Sequence, residues 1–229
     1  MCNLYSVTSS QEAIRALARA MGEYRDLTGN LEPLPAVFPD QMAPVVRTAA
    51  DGARELGMMR WGFPSPTAFN GPALVTNVRN TASHWWRPWL SKPATRCLVP
   101  VSSFCEYLGH KPAVPHWFAQ DEARSLFFFA GIWRPWTGTR GTKAKPVNGE
   151  HLLFSFLTTH PNDVVKAIHP KAMPVLLLDE LARETWLHGD VEAALALQRP
   201  APEDALRIVA RGEKQDWATP PALQFRKKV

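Results

Sequence analysis

The chain has 229 residues, 45% of them hydrophobic, and a formal net charge of +5. That is enough for one large domain or two small ones with a sizeable core, and it excludes global disorder. The three cysteines, Cys2, Cys97 and Cys105, form no Cys-x-x-Cys pair, which argues against a disulfide framework or zinc ribbon and fits a reducing compartment. The mildly basic balance permits a nucleic-acid partner without requiring one. No apolar stretch follows a basic start, so no secretory leader is expected, and SLFFFAGIW at 125–133 is too short to span a bilayer.

The opening, MCNLYS, puts Cys2 directly behind Met1. Trimming of Met1 would expose an α-amine and a thiol on adjacent carbons, with ordinary pKa values near roughly 7.7–8.0 and about 8.5. Taken alone, six residues fit chance placement as well. SSQEAIRALARAM predicts a first helix, with Ser9 and Glu12 at capping-box spacing and Gly22 as its stop. Residues 26–44 hold four prolines and read as an irregular connection. MMRWGFPSP at 58–66 predicts a short strand, and SHWWRPWL a short helix. RCLVPVSSFCEYL, SLFFFAGIWRP, HLLFSFLTT and AMPVLLL predict mostly buried strands. Arg134 to Gly149 has no apolar run and reads as an exposed loop. DELARETWLHG and DVEAALALQ predict two late helices, each with an Asp near its start, and QFRKKV a frayed tail. The pattern predicts one α+β domain over 1–229, a mainly antiparallel sheet or open barrel flanked by helices. Its core spans about 2–187. A helical extension over 188–229 packs on it.

Common catalytic signatures are missing: no HExxH, no Gly-x-Ser-x-Gly, no phosphate-binding Gly-rich loop and no dinucleotide fingerprint. The scattered histidines fit no common metal motif, so neither metal nor cofactor is expected. Glu106 stands in a segment fit for burial, where a carboxyl rises in pKa and suits acid–base work. It reads equally well as a strand-edge residue facing water. His169 precedes a strand, and a lone histidine is more often structural. Asn77 and Arg79 lie in TNVRNTA, and Asn can orient a nucleophile without adding charge. Arg79, Arg87, Lys92 and Arg96 interleave with Trp85, Trp86 and Trp89. That mixture suits phosphate contact and base stacking on a single strand, or a tryptophan-rich core edge with solvated charges.

Five blocks carry a resemblance: MC at the start, RWGF at 60–63, TNVRNTA at 76–82, RCLVPVSSFCEY at 96–107 and TTHPNDVVKAIHPKAMPVLL at 158–177. In order and spacing the chain resembles the SRAP family, the SOS-response-associated peptidase-like proteins, also described as abasic-site processing proteins. The likeness spans roughly residues 2–187. The family's Cys-Gly-Arg is Cys-Asn-Leu here, so its arginine is replaced by Leu4; AVFPDQ keeps only Pro39 of the usual Asn-x-Ala-Pro; and His160 stands where the family has Glu. The residues flanking Glu106 also differ, Cys105 standing for Tyr and Tyr107 for Trp.

The resemblance implies covalent capture of an abasic site in single-stranded DNA by Cys2, through an imine that closes to a thiazolidine. It further implies that Asn77 holds the amine or the sugar, Glu106 shuttles protons, and His169 helps open the sugar. By the same resemblance Arg79 and Thr158 contact phosphate, Trp61, Gly62 and Pro39 shape the strand's path, and Trp85 or Trp86 stacks on bases. It implies a monomeric, cytoplasmic and nucleoid-associated protein with no membrane partner, and an autoproteolytic exposure of Cys2. Three rivals stand beside it: an N-terminal-nucleophile amidohydrolase, a cysteine peptidase using Cys2 with His169, and a single-strand binder without chemistry.

Overall fold

The computed structural model describes residues 2–66, 74–109 and 112–217. In chain order the elements are β1 (Tyr5–Val7), α1 (Gln11–Ala20), β2 (Tyr24–Asp26), β3 (Leu34–Val37), β4 (Met42–Thr48), β5 (Arg54–Trp61), β6 (Phe63–Pro64), β7 (Leu74–Val75) and β8 (Asn77–Val78). There follow α2 (Arg87–Leu90), β9 (Arg96–Val101), β10 (Ser103–Tyr107), β11 (Pro115–Ala119), β12 (Phe127–Thr142), β13 (Lys145–Thr159) and α3 (Asp163–Lys166). The last are β14 (Met173–Pro174), β15 (Leu176–Leu177), α4 (Glu180–His188), α5 (Val191–Leu195) and β16 (Arg207–Arg211). No helix among the described residues is long and apolar enough to cross a membrane.

Two sheets share the core. The smaller is antiparallel, in the order β16-β11-β10-β1-β3. The larger runs β13-β12-β9-β4-β5 and closes on itself where β5 pairs parallel with β13, Leu153 opposite Arg60 and Phe154 opposite Trp61. The expected open barrel is therefore a closed five-stranded one. It is mixed, because β2 and β8 also pair in parallel, with β5 and β13. Closure removes an unpaired edge that would otherwise template aggregation. Tyr5, Trp61, Phe104, Phe129, Phe154 and Phe156 fill the space between, in edge-on and stacked contacts.

Several local expectations hold and others are corrected. The first helix forms, but its cap is Ser10, which accepts from Ala13 N; Ser9 Oγ instead pairs with Ser102 Oγ at 2.9 Å. RCLVPVSSFCEYL makes two strands, with Ser102 as the step from one sheet to the other. Residues 26–44 contain β3 and the start of β4. The stretch 134–149, expected as a loop, is the outer part of a long ribbon of β12 and β13. Along its β12 half Arg134, Trp136 and Gly138 are half-buried and Arg140 buried, alternating with exposed Pro135, Thr137 and Thr139, but arginine and glycine on the sheltered side give no apolar alternation. The late helices form behind Asp179 and Asp190 caps, but the extension is not wholly helical. It adds β16 to the smaller sheet, and the buried Asp216 anchors it through Arg124 (3.0 Å) and Ser103 Oγ (2.6 Å). QFRKKV lies outside the described residues.

Arg96 ties the late helices to the barrel. It is fully buried, and donates to the carbonyls of Leu90 (2.9 Å), Trp186 (3.1 Å) and Gly189 (2.7 Å) at the ends of α2 and α4. A cation suits the negative end of a helix, although burial lowers its pKa from the ordinary arginine value. Trp186 in turn donates its indole N–H to Cys97 and Gly131 carbonyls, both at 3.0 Å. Gly131 permits the close approach: a Cβ there would stand 2.8 Å from Cys97 Sγ. Arg96→Met keeps the bulk and leaves three carbonyls unpaired, so urea unfolding should show a loss of about 3 kcal/mol. A loss below about 1 kcal/mol would contradict that role.

Candidate active site

Cys2 lies just before β1, and its surroundings come from three distant parts of the chain. The β1–β10 pairing, Tyr5 opposite Phe104 and Ser6 opposite Ser103, lays the residues before Tyr5 along the end of β10, where Glu106 stands. Cys105 N donates to Leu4 O at 2.9 Å and extends that contact. Asn77 opens β8, and its side chain donates to Cys2 O (2.9 Å) and to Thr76 Oγ1 (3.1 Å). Thr76 Oγ1 passes a hydrogen bond on to Asn3 Oδ1 at 3.2 Å. His169 follows α3, whose Asn162 cap accepts from Val165 N; His169 Nδ1 stands 3.8 Å from Glu106 Oε2. Cys2, Asn77, Glu106 and His169 thus meet, as the sequence resemblance implies.

The four are sheltered to different degrees. Cys2 is 0% exposed and Glu106 3%, while the His169 side chain is 17% exposed and forms the outer side of the cluster. Burial pushes the Glu106 carboxyl up to about 7, partly offset by a hydrogen bond from the Cys2 thiol. Burial, and then the Glu106 charge, hold the Cys2 thiol well above its usual range. The thiol has one proton, for which the Leu4 carbonyl at 3.5 Å also competes. Burial lowers the His169 pKa, so its ring is neutral near pH 7. His169 Nδ1 lies 3.0 Å from Ala172 O, to which it donates when protonated, and 3.4 Å from Ala172 N, from which it accepts when it is not. Asn77 Oδ1 and Glu106 Oε1 are buried acceptors without a protein hydrogen-bond partner.

The other predicted residues fall into two groups. Arg79 is half-buried and reaches the Thr159 carbonyl and His160 Nδ1, the latter at 3.1 Å. Thr158 is fully buried and its hydroxyl has no protein partner. Pro39 is half-exposed on the β3–β4 turn. Trp61 and Trp86, by contrast, are buried with their ring faces covered by protein. Trp61 stacks on Phe156 and donates its indole N–H to Thr76 O at 3.0 Å, so it supports the segment that carries Asn77. Gly62 is buried at φ +108, with Leu74 Cβ 3.3 Å from where its own Cβ would stand. Trp85 is half-buried against Trp86.

Sequence reasoning missed Gln198. Its amide nitrogen donates to Arg79 O and Thr158 O, both at 2.9 Å, and its oxygen accepts from Thr81 Oγ1 at 2.8 Å. It fastens the two phosphate-contact candidates together from the segment that had no assigned role. Nothing in a polar residue after a short helix signals this. A cavity of 510 Å³ lies elsewhere, lined by Arg47, Glu55, Trp133 and His188 among others, and includes none of the four clustered residues. Among the described residues, no group of three His, Cys, Asp or Glu side chains is placed to hold a metal ion.

The chain has known relatives in family and in fold. The family model SRAP, SOS response associated peptidase, matches residues 1–211. No curated protein matches the chain. Among solved structures, a protein from Bordetella bronchiseptica is 20% identical with a TM-score of 0.68, the match covering 92% of this chain and 98% of that one. A protein from Bacteroides thetaiotaomicron is 21% identical with a TM-score of 0.69, covering 90% of each chain. A phage-related protein from Bordetella bronchiseptica is 21% identical with a TM-score of 0.64, covering 90% and 92%. At these identities the likeness to the solved structures is one of fold. The family match over most of the length carries the assignment: the chain belongs to the SRAP family, SOS response associated peptidase.

Proposed function

We propose that this protein, once Met1 is removed, captures abasic sites in single-stranded DNA through the α-amine and thiol of Cys2. The observation that carries the reading is the meeting of Cys2 with Glu106, Asn77 and His169 at a buried N-terminal segment. Asn77 Oδ1 and Glu106 Oε1 both lack a donor, and an N-terminal amine on Cys2 supplies N–H groups.

The neutral amine adds to C1′ of the open-chain sugar aldehyde and gives a carbinolamine. Glu106, protonated in part near pH 7, gives its proton to the departing hydroxyl, one water leaves, and the nitrogen returns a proton to the carboxylate to leave a neutral imine. The thiol then adds across the C=N bond, sulfur to carbon and hydrogen to nitrogen, which closes a five-membered thiazolidine. Amine and thiol sit on one residue, so closure is intramolecular and favoured by effective concentration. The sugar carbon becomes tetrahedral and no longer acidifies its neighbour, which halts the elimination that would break the strand. In this reading His169, 3.8 Å from Glu106, takes the proton of the C1′ hydroxyl as the C1′–O4′ bond of the closed sugar breaks, and the proton goes to O4′.

The electrostatics favour this chemistry over a cysteine peptidase. A peptidase of that type works through a thiolate paired with an imidazolium. Here a carboxyl raises the thiol pKa, and the histidine pKa is lowered. An amine-first route needs no thiolate.

A labelled single-stranded oligonucleotide with one abasic site, run on a denaturing gel, tests the reading. A band shifted by the protein's mass should form with wild type and be absent with Cys2→Ala or with undamaged DNA. Glu106→Gln should slow its formation about 100-fold while single-strand affinity stays within twofold. No shifted band from wild type lacking Met1 would overturn the reading.

The pH dependence follows from two groups. The amine must be neutral, which favours rising pH toward roughly 7.7–8.0. Glu106 must be protonated, which is lost as pH rises through about 7. The capture rate at saturating DNA should therefore be bell-shaped in wild type and lose its alkaline limb in Glu106→Gln. A wild-type rate that climbs steadily to pH 9 would remove Glu106 as the acid.

A further inference from the structure

The β3–β4 turn, Phe38 to Gln41, is braced far more heavily than a surface connection needs. Asp40 stands at φ +69, in the left-handed region. Its carboxylate takes Arg140 Nε (2.8 Å) and Arg140 Nη2 (2.6 Å) on one oxygen and the Gly141 N–H (2.8 Å) on the other. Its carbonyl accepts from Arg60, and its N–H donates to Trp61 O at 2.9 Å. Gln41 closes the turn, its N–H donating to Phe38 O (3.1 Å) and its side-chain oxygen accepting from Phe38 N (3.0 Å). Backbone in a sparsely populated region, over-determined by its surroundings, points to function rather than to chance.

The brace holds an aromatic ring in water. Phe38 is 37% exposed, and Met42 at the other end of the turn is 41% exposed. Among the described residues Phe38 is the most exposed of the Phe, Tyr and Trp rings. Its place is set by the strand beside it: Val37 pairs with Tyr5, three residues from Cys2. The antiparallel register carries the chain after Val37 back along Leu4, and three extended residues span about 10 Å, so the turn that bears Phe38 lies near the N-terminal cysteine. Of the two rings the resemblance offered for stacking, Trp86 is buried and Trp85 half-buried against it, and Trp61, offered to shape the strand's path, is buried.

We propose that Phe38 is a stacking platform for the nucleobase next to the abasic sugar, an inference that rests on the capture reading. Loss of a base leaves its neighbour without a stacking partner. A fixed ring beside the captured sugar supplies one, and base–aromatic stacking tolerates any sequence because every base has a π-face. The rigid turn means that little ordering is left for the moment of binding. Phe38 acts on where the strand sits and leaves the bond-making steps to Cys2 and Glu106.

The test uses full-length protein lacking Met1 and single-stranded oligonucleotides with one abasic site and 2-aminopurine as either neighbour. Wild type should quench the fluorescence of one of the two on binding. Phe38→Ala should abolish that quenching, raise the concentration for half-maximal capture about tenfold, and leave the rate at saturation within twofold. Phe38→Trp should restore both. Thermal melting of Phe38→Ala close to wild type shows that the loss is local. Equal quenching and half-saturation in wild type and Phe38→Ala would overturn the proposal. An absence of covalent adduct from wild type would overturn the capture reading instead, and the fluorescence arm still reads the stacking.

Discussion

The pairing of Tyr5 with Phe104 and of Ser6 with Ser103 is the constraint on which the site depends. It fixes the first residues of the chain against β10, and so fixes Cys2 against Glu106. A chain terminus is ordinarily the least ordered part of a domain. Here the terminal strand lies in the middle of the smaller sheet, between β3 and β10. Tyr5 adds a packing anchor, its ring edge-on to Trp61, Phe129 and Phe156. Asn77 then holds the Cys2 carbonyl from the other side, on a strand that β13 keeps in register. The barrel and the smaller sheet each contribute one wall of the site.

Burial does the electrostatic tuning. Burial raises the pKa of both the Glu106 carboxyl and the Cys2 thiol, and the carboxylate charge raises the thiol further, so the thiol keeps its proton near neutrality while the carboxyl, pushed up to about 7, carries one in part. Such a pair is poor equipment for a thiolate nucleophile. It suits a reaction in which an acid removes a hydroxyl and a neutral thiol follows. The supporting shell serves the same end: Trp61 holds Thr76, Gln198 holds Arg79 and Thr158, and Asp40 holds the turn that presents Phe38.

What was legible in the sequence was chemistry rather than position. Cys2, Asn77, Glu106 and His169 could be named because reactive groups in apolar or family-like segments stand out, and the structure brings them together. The buried strands were legible from their aromatic and β-branched runs. Barrel closure was not, because a parallel contact between β5 and β13 leaves no local mark on either strand. The β12–β13 ribbon escaped because polar residues on both of its faces erase the period of two. Trp86 stood as a stacking candidate because an aromatic beside an arginine reads the same whether its faces are open or covered. Phe38 escaped for the opposite reason: a single ring in a proline-rich stretch gives no pattern, and only its exposure and the brace around Asp40 distinguish it.

The central claim is that both nucleophiles of Cys2 end on the same sugar carbon. The most direct measurement is mass spectrometry of the adduct with a short abasic oligonucleotide, with peptide mapping after borohydride treatment. The account predicts a product heavier than the protein lacking Met1 by the DNA less one water. The DNA should map to Cys2, with its thiol blocked to alkylation and no hydrogen gained from borohydride. An adduct that borohydride reduces, that leaves the Cys2 thiol open to alkylation, or that maps to a lysine would contradict it.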